Sequence, residues 1–406
     1  MQTLFIRNVR PMGADPTSLT IRDGRIAGYG QEAGGGAEFL DTEILDAEIL
    51  DAGGAILIPG LVEAHTHMDK TLLGMGWYRN EVGPRLIDKI DNERAQRRLL
   101  GIDPARQSAR QAVLAASLGT THIRTHVDVD TEVGVAGIEG VLATRERYRD
   151  LVDIELVAFP QSGMLIRPGT VELMDRALRL GAQVVGGLDP AAIDRDPKGH
   201  LDVVFGLAER HGVPVDIHLH EAAELGAFSM ELIIERTRAL GLQGKVTISH
   251  AFCLGMADQD SVAALIDALA EARIHILTTA PASRPAPAVK RLVEAGIVVA
   301  AGTDGVRDTW GPYNHPDMLE RAVLVGLRNN LRRDDEVALA LDTCTHGGAR
   351  MMGLEGYGLD PGDRADLVLV EGETLADAVV GRRPRRLVLK GGRVVARDGV
   401  ALVEAP

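Results

Sequence analysis

PGLVEAHTHMDK, residues 59–70, runs from apolar residues into two histidines one residue apart, followed at once by an acid and a lysine. If the run is a β-strand, side chains at i and i+2 face the same way, so His65 and His67 project together at the strand's end. Two neutral imidazoles converging on one point suit a divalent metal. An isolated His-x-His is more often a packed or solvated pair. What flanks the stretch decides between the two readings.

Downstream, short β-branched runs alternate with long helical patterns. The strand candidates after LIPGLVEAHTH are THIRTHVDV, DIELVAFPQ, AQVVGGLDP, VPVDIHLHE, KVTISHA, RIHILTTA and IVVAAGTDG. Helical stretches such as TVELMDRALRLG and LDVVFGLAERHG follow them, with apolar residues at i, i+3, i+4, i+7 and a closing Gly. Strand and helix in alternation predict parallel βα units, and eight such strands match a (β/α)8 TIM-type barrel rather than an open sheet. The two ends of the chain differ from this middle. TLFIRNVR, SLTIRDGRIAGYG and AEILDAGGAILIPG at one end, and ADLVLVEG and PRRLVLKGGRVVARDG at the other, are short β-like runs with turns between them. The expected organisation is a small β-sandwich from residues 1–58 and 356–406 around a barrel spanning 59–355.

The chain has 406 residues, 45% of them apolar and 25% charged, which is ordinary for a globular protein. A formal net charge of −14 disfavours a nucleic-acid surface, since polyanion binding needs a basic footprint. A small neutral molecule is therefore the expected substrate. The two cysteines, Cys253 and Cys344, stand in no metal or redox spacing, which fits a reducing compartment. The N-terminus MQTLFIRNVR lacks the apolar core, about 7–15 residues long, of a signal peptide, and no run approaches the roughly 18 apolar residues of a membrane span. A cytoplasmic protein without a membrane or nucleic-acid partner is expected, assembled as a homo-oligomer.

A (β/α)8 barrel builds its site at the C-terminal ends of its strands. Strand one ends in His65 and His67, strand three in Phe159-Pro160-Gln161, strand five in His218, His220 and Glu221, strand six in Ser249-His250, and strand eight in GTDG with Asp304. Polar groups placed by accident would fall at either end of the strands, so this clustering favours a metal site. Two imidazoles from strand one, one from strand five and the Asp304 carboxylate make four ligands around an open position for water, whose pKa such a metal lowers toward ~7. Glu221, three residues beyond His218, is placed to move protons, and His250 to orient the attacking oxygen or stabilise charge.

The His-x-His after strand one, the histidines after strands five and six and the Asp after strand eight resemble the amidohydrolase superfamily. GTTHIRTHVDVD, LVAFPQSG, ALRLGAQVVGG, DIHLHE and GTDGVRDTWGP are similar in order and spacing to its cytosine deaminase branch, across nearly the whole chain. The resemblance implies that His65, His67, His218 and Asp304 are the metal ligands. It implies that Glu221 shuttles a proton to a ring nitrogen and that His250 contacts the hydroxide. It further implies that Gln161 reads the ring's amide edge with a paired donor and acceptor, and that Trp310 helps close the pocket. Two-metal relatives carry a modified lysine after strand four, where this chain has AQVVGGLDP, so one divalent cation per subunit, Zn²⁺ or Fe²⁺, is expected.

The sequence departs from that branch where a second acid would follow the strand-eight Asp: here it is Gly305. The lost carboxylate is expected to leave room for an extra ring substituent. HTHMDK, with Lys70 beside Asp69, is similar to relatives that act on s-triazines or other N-heterocycles. The expected activity is metal-dependent hydrolytic deamination of a small N-heterocycle, with cytosine or a 5-substituted cytosine such as 5-methylcytosine as first choice. Hydrolysis of another C–N bond, in isoguanine, creatinine or an aminated s-triazine, is the alternative, and a metal-free scaffold protein the remote third. Among the other residues, His220 is the rival of His218 as ligand, and Asp128 is a candidate orienting group. His122 and His126 are expected to be buried and hydrogen-bonded. His200, His211, His275 and His346 are expected at the surface or in packing, while Trp77 and His315 are candidates to border the pocket.

Overall fold

The computed structural model of the chain describes residues 3–30 and 48–406, so residues 1–2 and 31–47 of the expected N-terminal β segment lie outside the described residues. The N-terminal strands are β1 (Thr3–Pro11), β2 (Thr17–Arg22), β3 (Arg25–Gly30), β4 (Glu48–Asp51) and β5 (Ile56–Pro59). The next eight are β6 (Leu61–Thr66), β7 (Thr120–Asp128), β8 (Asp153–Phe159), β9 (Val184–Leu188), β10 (Val215–His218), β11 (Val246–Ser249), β12 (His275–Thr278) and β13 (Val299–Ala301). The last four are β14 (Leu367–Val370), β15 (Arg385–Lys390), β16 (Arg393–Arg397) and β17 (Val400–Ala401).

Strands β6 to β13 pair in sequence order, each parallel to the next. A further parallel bridge between Thr66 and Asp304 joins the first strand to the turn after the last, closing the barrel at its functional end. The strands are buried on both faces, and their residues are mostly apolar or β-branched, as expected for a sheet covered by helices. The helices show why they form where they do. Helix Pro104–Ser117 starts with Pro at its first position, and Asp103 accepts from the backbone N–H of Ala105 and Arg106. Helix Thr170–Leu180 buries Thr170, Met174, Ala177 and Leu178, one helical stripe, and ends at Gly181 with φ 121°.

The two chain ends join in one nine-stranded sheet, in which β14 pairs antiparallel with β5, and β5 parallel with β1. Leu19 and Ile21 from one half and Leu57, Leu367, Leu369 and Leu389 from the other share one apolar cluster, as in a small sandwich. Alternate residues of β14 face opposite ways: Val368 and Val370 join the barrel's core instead.

One expectation needs correcting. LIPGLVEAHTH is not one strand but two, β5 in the small sheet and β6 in the barrel, divided at Gly60. A Cβ at Gly60 would meet Thr121 Oγ1 at 2.2 Å, so only glycine lets the chain pass between the sheets there. Among the described residues, no helix is long and apolar enough to cross a membrane.

Candidate metal centre and substrate cavity

His67 Nε2 lies 3.2 Å from Asp304 Oδ1 and 3.4 Å from His218 Nε2, and His65 Nε2 lies 3.7 Å from the same Asp304 oxygen. One potential ligand atom from each of the four falls within 4.8 Å of the others. Strands β6 and β10 and the turn after β13 thus bring together the expected ligand set. The groups are in the right charge states for a cation. Burial and the surrounding imidazoles hold His218 well below the usual histidine range, so its ring is neutral. Burial pushes the Asp304 carboxyl up, but the imidazoles of His65 and His67 beside it outweigh that and hold the pKa well below the usual range. His65 Nε2 is buried with no hydrogen-bond partner, a donor atom that a metal would satisfy.

The orientation of His65 is set from behind. Ser249 Oγ donates to Asp216 Oδ1 at 2.6 Å, so toward His65 Nδ1, 3.1 Å away, it acts as acceptor. That places the proton on Nδ1 and leaves the Nε2 lone pair facing Asp304. Asp189, His250 and Asp304 take positive φ angles of 36°, 69° and 64°, left-handed conformations uncommon outside glycine, at the ends of β9, β11 and β13.

A cavity of about 300 Å³ opens on this cluster, its wall including His67, Lys70, Gln161, His218, Asp304 and Trp310. An adjoining cavity of about 440 Å³ shares His220, Asp304 and Trp310 with it and is bordered by Glu221 and His250. Of the residues singled out in the sequence, Gln161 and Trp310 therefore face the cavity beside the ligand set, and Glu221 and His250 its adjoining lobe. The His250 ring lies 5.0 Å from those of His65 and His218. Glu221 is more tightly tied than its expected role requires. Oε1 accepts from the backbone N–H of Ala191 (2.8 Å) and Ala192 (2.7 Å), and Oε2 from Ser229. Burial still raises its pKa, against the pull of those donors.

His220 is not a fifth ligand. Its Nδ1 lies 2.8 Å from Asp189 Oδ2, and although burial lowers its pKa, the Asp189 carboxylate raises it to a net increase. His126 is buried as expected but makes no hydrogen bond through either ring nitrogen. It packs instead against His65 and His218, at centroid distances of 4.1 and 4.5 Å. His200 is buried on Asp194, 2.6 Å from its Nδ1. Trp77 is exposed beside Arg307 and His315 is exposed, and neither lines the cavity.

Two features of the cavity wall go beyond what the sequence shows. Lys70 Nζ donates to Gln161 Oε1 at 2.8 Å and lies 3.0 Å from Glu93 and 3.1 Å from Asp128. Three ammonium protons meet three acceptors, so the Gln161 oxygen is engaged from behind and its Nε2 remains for the cavity. One lone pair of that oxygen is thus taken by Lys70, which fixes the amide with Nε2 as the unpaired donor among the described residues. Arg97 bonds Asp69 and Asp128 beneath the same cluster, and Trp310 Nε1 donates to Glu93. The sequence reading named Lys70, Asp69 and Asp128 without this network and missed Glu93 and Arg97; the Asp-Lys pair directly after the His-x-His was the signal available.

Gly305, secondly, does not open a void. A Cβ built there would lie 1.9 Å from Asp308 Oδ2. The space is filled by a carboxylate from three residues downstream, one that the sequence reading passed over inside GTDGVRDTWGP. Burial raises Asp308 to about 6, against the pull of Lys70.

A larger cavity of about 580 Å³ includes His122, Asp153 and Asp366 in its wall. It is no second metal centre, because Lys390 Nζ already sits 2.6 Å from Asp153 and 2.8 Å from Asp366.

Residues 48–396 match the model of the amidohydrolase family. The chain belongs to the amidohydrolase family. It is 32% identical over 356 residues to the N-isopropylammelide isopropyl amidohydrolase of Pseudomonas sp. (strain ADP), covering 86% of this chain and 88% of that protein. Among solved structures, the N-isopropylammelide isopropylaminohydrolase from Burkholderia multivorans ATCC 17616 is 50% identical, with a TM-score of 0.92 and coverage of 99% and 100%. The 5-methylcytosine deaminase from Klebsiella pneumoniae, liganded with 5-fluorocytosine, is 27% identical, with a TM-score of 0.83 and coverage of 98% and 99%. This amidohydrolase is thus a hydrolase acting on C–N bonds of N-heterocycles, small molecules that match the scale of the cavity.

Proposed function

We propose that this amidohydrolase cleaves the exocyclic C–N bond of an oxo-substituted s-triazine, releasing an amine, with one divalent cation, Zn²⁺ or Fe²⁺, on His65, His67, His218 and Asp304. The observation that carries the hydrolytic chemistry is the convergence of those four side chains on one point at the cavity wall. The choice of triazine over cytosine rests on the 50% identity, across 99% of the chain, to an N-isopropylammelide isopropylaminohydrolase. It reverses the order expected from the sequence. The 27% likeness to a 5-methylcytosine deaminase keeps the pyrimidine as the second reading.

A cation bound there supplies Lewis acidity and makes water a nucleophile near neutral pH. Gln161 Nε2 donates to a ring carbonyl and fixes the ring's orientation, while Trp310 bounds the cavity on one side. Glu221, with its raised pKa, takes a proton from the attacking water and passes it to the leaving nitrogen. Attack on the ring carbon forms the new C–O bond and a tetrahedral centre, and collapse of that centre breaks the exocyclic C–N bond as the leaving amine takes the proton from Glu221. His250 holds the attacking oxygen and the charge that develops on it.

Amine release from N-isopropylammelide, ammelide, cytosine, 5-methylcytosine, isoguanine and creatinine, measured with Zn²⁺- and Fe²⁺-loaded protein, tests the reading. A kcat/KM for the alkylated triazine at least about ten-fold above that for either cytosine, a difference of about 1.4 kcal/mol, is expected. Preference for a cytosine would overturn the substrate, and absence of amine release from all six the function.

A further inference from the structure

The acid that the cytosine deaminase pattern puts directly after the strand-eight Asp is replaced here by Gly305, yet a carboxylate occupies that space. Asp308 Oδ2 stands 1.9 Å from where a residue-305 Cβ would begin. The carboxylate is firmly held. Its Oδ1 accepts from the backbone N–H of Trp310 at 2.8 Å and of Gly311 at 3.1 Å. The Asp308 N–H in turn donates to the Gly311 carbonyl at 3.1 Å. Among the described residues, no hydrogen bond reaches Oδ2. Asp308 is 6% exposed and lines the same cavity as Gln161 and Asp304. An acid on residue 305 itself would reach one C–C and one C–O bond further from the backbone. Residue 308 supplies the acceptor instead.

We propose that Asp308 is the specificity residue of this cavity, its Oδ2 accepting an N–H of the bound heterocycle while Gln161 Nε2 donates to a ring carbonyl. A donor and an acceptor lining one cavity are complementary to a ring that carries both C=O and N–H, an oxo-heterocycle in its lactam form. A ring offering only unprotonated nitrogens leaves Oδ2 facing a lone pair, at the cost of an unpaired buried carboxylate. The inference rests on the reading of this cavity as the substrate site, and not on which lactam fills it.

Four variants separate recognition from a merely structural part in the turn: Asp308→Ala, Asp308→Asn, Gly305→Ala, and Gly305→Ala combined with Asp308→Ala. Each is assayed on whichever heterocycle of the panel wild-type protein turns over best, and for Tm and metal content. Asn retains an oxygen for the Trp310 and Gly311 N–H groups but presents an amide N–H₂ where Oδ2 was. It should therefore restore the Tm lost in Asp308→Ala without restoring KM, which rises roughly 10- to 100-fold in both. Gly305→Ala should lower Tm and raise KM in the wild-type background, and add nothing once Asp308 is Ala, because the clash has gone. A wild-type KM in Asp308→Asn would reduce Asp308 to a turn anchor and overturn the proposal. So would Gly305→Ala being equally damaging in both backgrounds. Because the coupling is read on the best substrate and in Tm, a failure of the triazine reading leaves this test intact and is scored separately.

Discussion

Ser249 and Lys70 stand outside the cluster of His65, His67, His218 and Asp304, yet each decides what a residue beside it can do. Ser249 fixes which nitrogen of His65 is free. Ser249→Ala should therefore weaken metal binding roughly 10- to 100-fold, a loss typical of removing such a supporting contact, with the fold intact. Chelator competition measures it, and an unchanged affinity would remove Ser249 from the account. Lys70 holds the Gln161 oxygen and neutralises Glu93 and Asp128. Lys70→Met breaks a buried ion cluster from one side, and the expected cost is about 3–5 kcal/mol of stability. Thermal or urea unfolding reads it. The sequence shows such residues unequally. His65 and His67 were legible because a strand's period of two makes i and i+2 neighbours on one face. His218 was legible because it stands at another strand's end with the same chemistry. Glu93, brought to Lys70 from helix Leu86–Leu99, and Asp308, folded back over Gly305 by a loop, obey no short-range period. Only the folded chain shows their partners.

At the level of elements, alternation of short β-branched runs with amphipathic stretches was enough to predict the barrel, since each βα unit repeats the same two periodicities. What it could not show is where one sheet hands over to another. An apolar strand run looks the same in either, and the β5–β6 division depends on how closely Thr121 approaches Gly60. The same holds where the barrel closes. A Cβ at Gly302 would meet both the Cβ and the carbonyl oxygen of His65 at 2.5 Å. Gly302→Ala should thus push the end of β13 away from β6 and cost about 1–3 kcal/mol by overpacking, with loss of metal affinity as Asp304 moves from His65 and His67. Unfolding free energy and metal content measured together check this, and a variant with wild-type values of both would contradict the closure described above.

The whole molecule carries a pH signature of its buried imidazoles. His275, at the start of β12, is pushed down from 6.5 to about 4 by burial and by Arg124. Its unfolded state therefore binds more protons than its folded state between those values, so stability rises with pH across the window and is lost as pH falls from 6.5 to about 4. His122, lowered by burial despite Asp153, acts in the same direction. Tm should fall as pH is lowered from 6.5 to about 4, and less steeply in His275→Gln; a parallel fall in the variant would exclude the residue. The net charge of −14 was legible from composition and rightly turned attention to small molecules. Composition does not distinguish a triazine from a pyrimidine, since that choice turns on a few contacts at one cavity wall.

The central claim is that His65, His67, His218 and Asp304 gather on a single cation that amine release from a heterocycle requires. Titrating chelator-stripped protein with Zn²⁺ or Fe²⁺ while following amine release tests it in one curve. The account predicts no activity at the origin and a linear rise that stops at one equivalent per chain. Full activity without added metal, or a rise that continues to two equivalents, would contradict it.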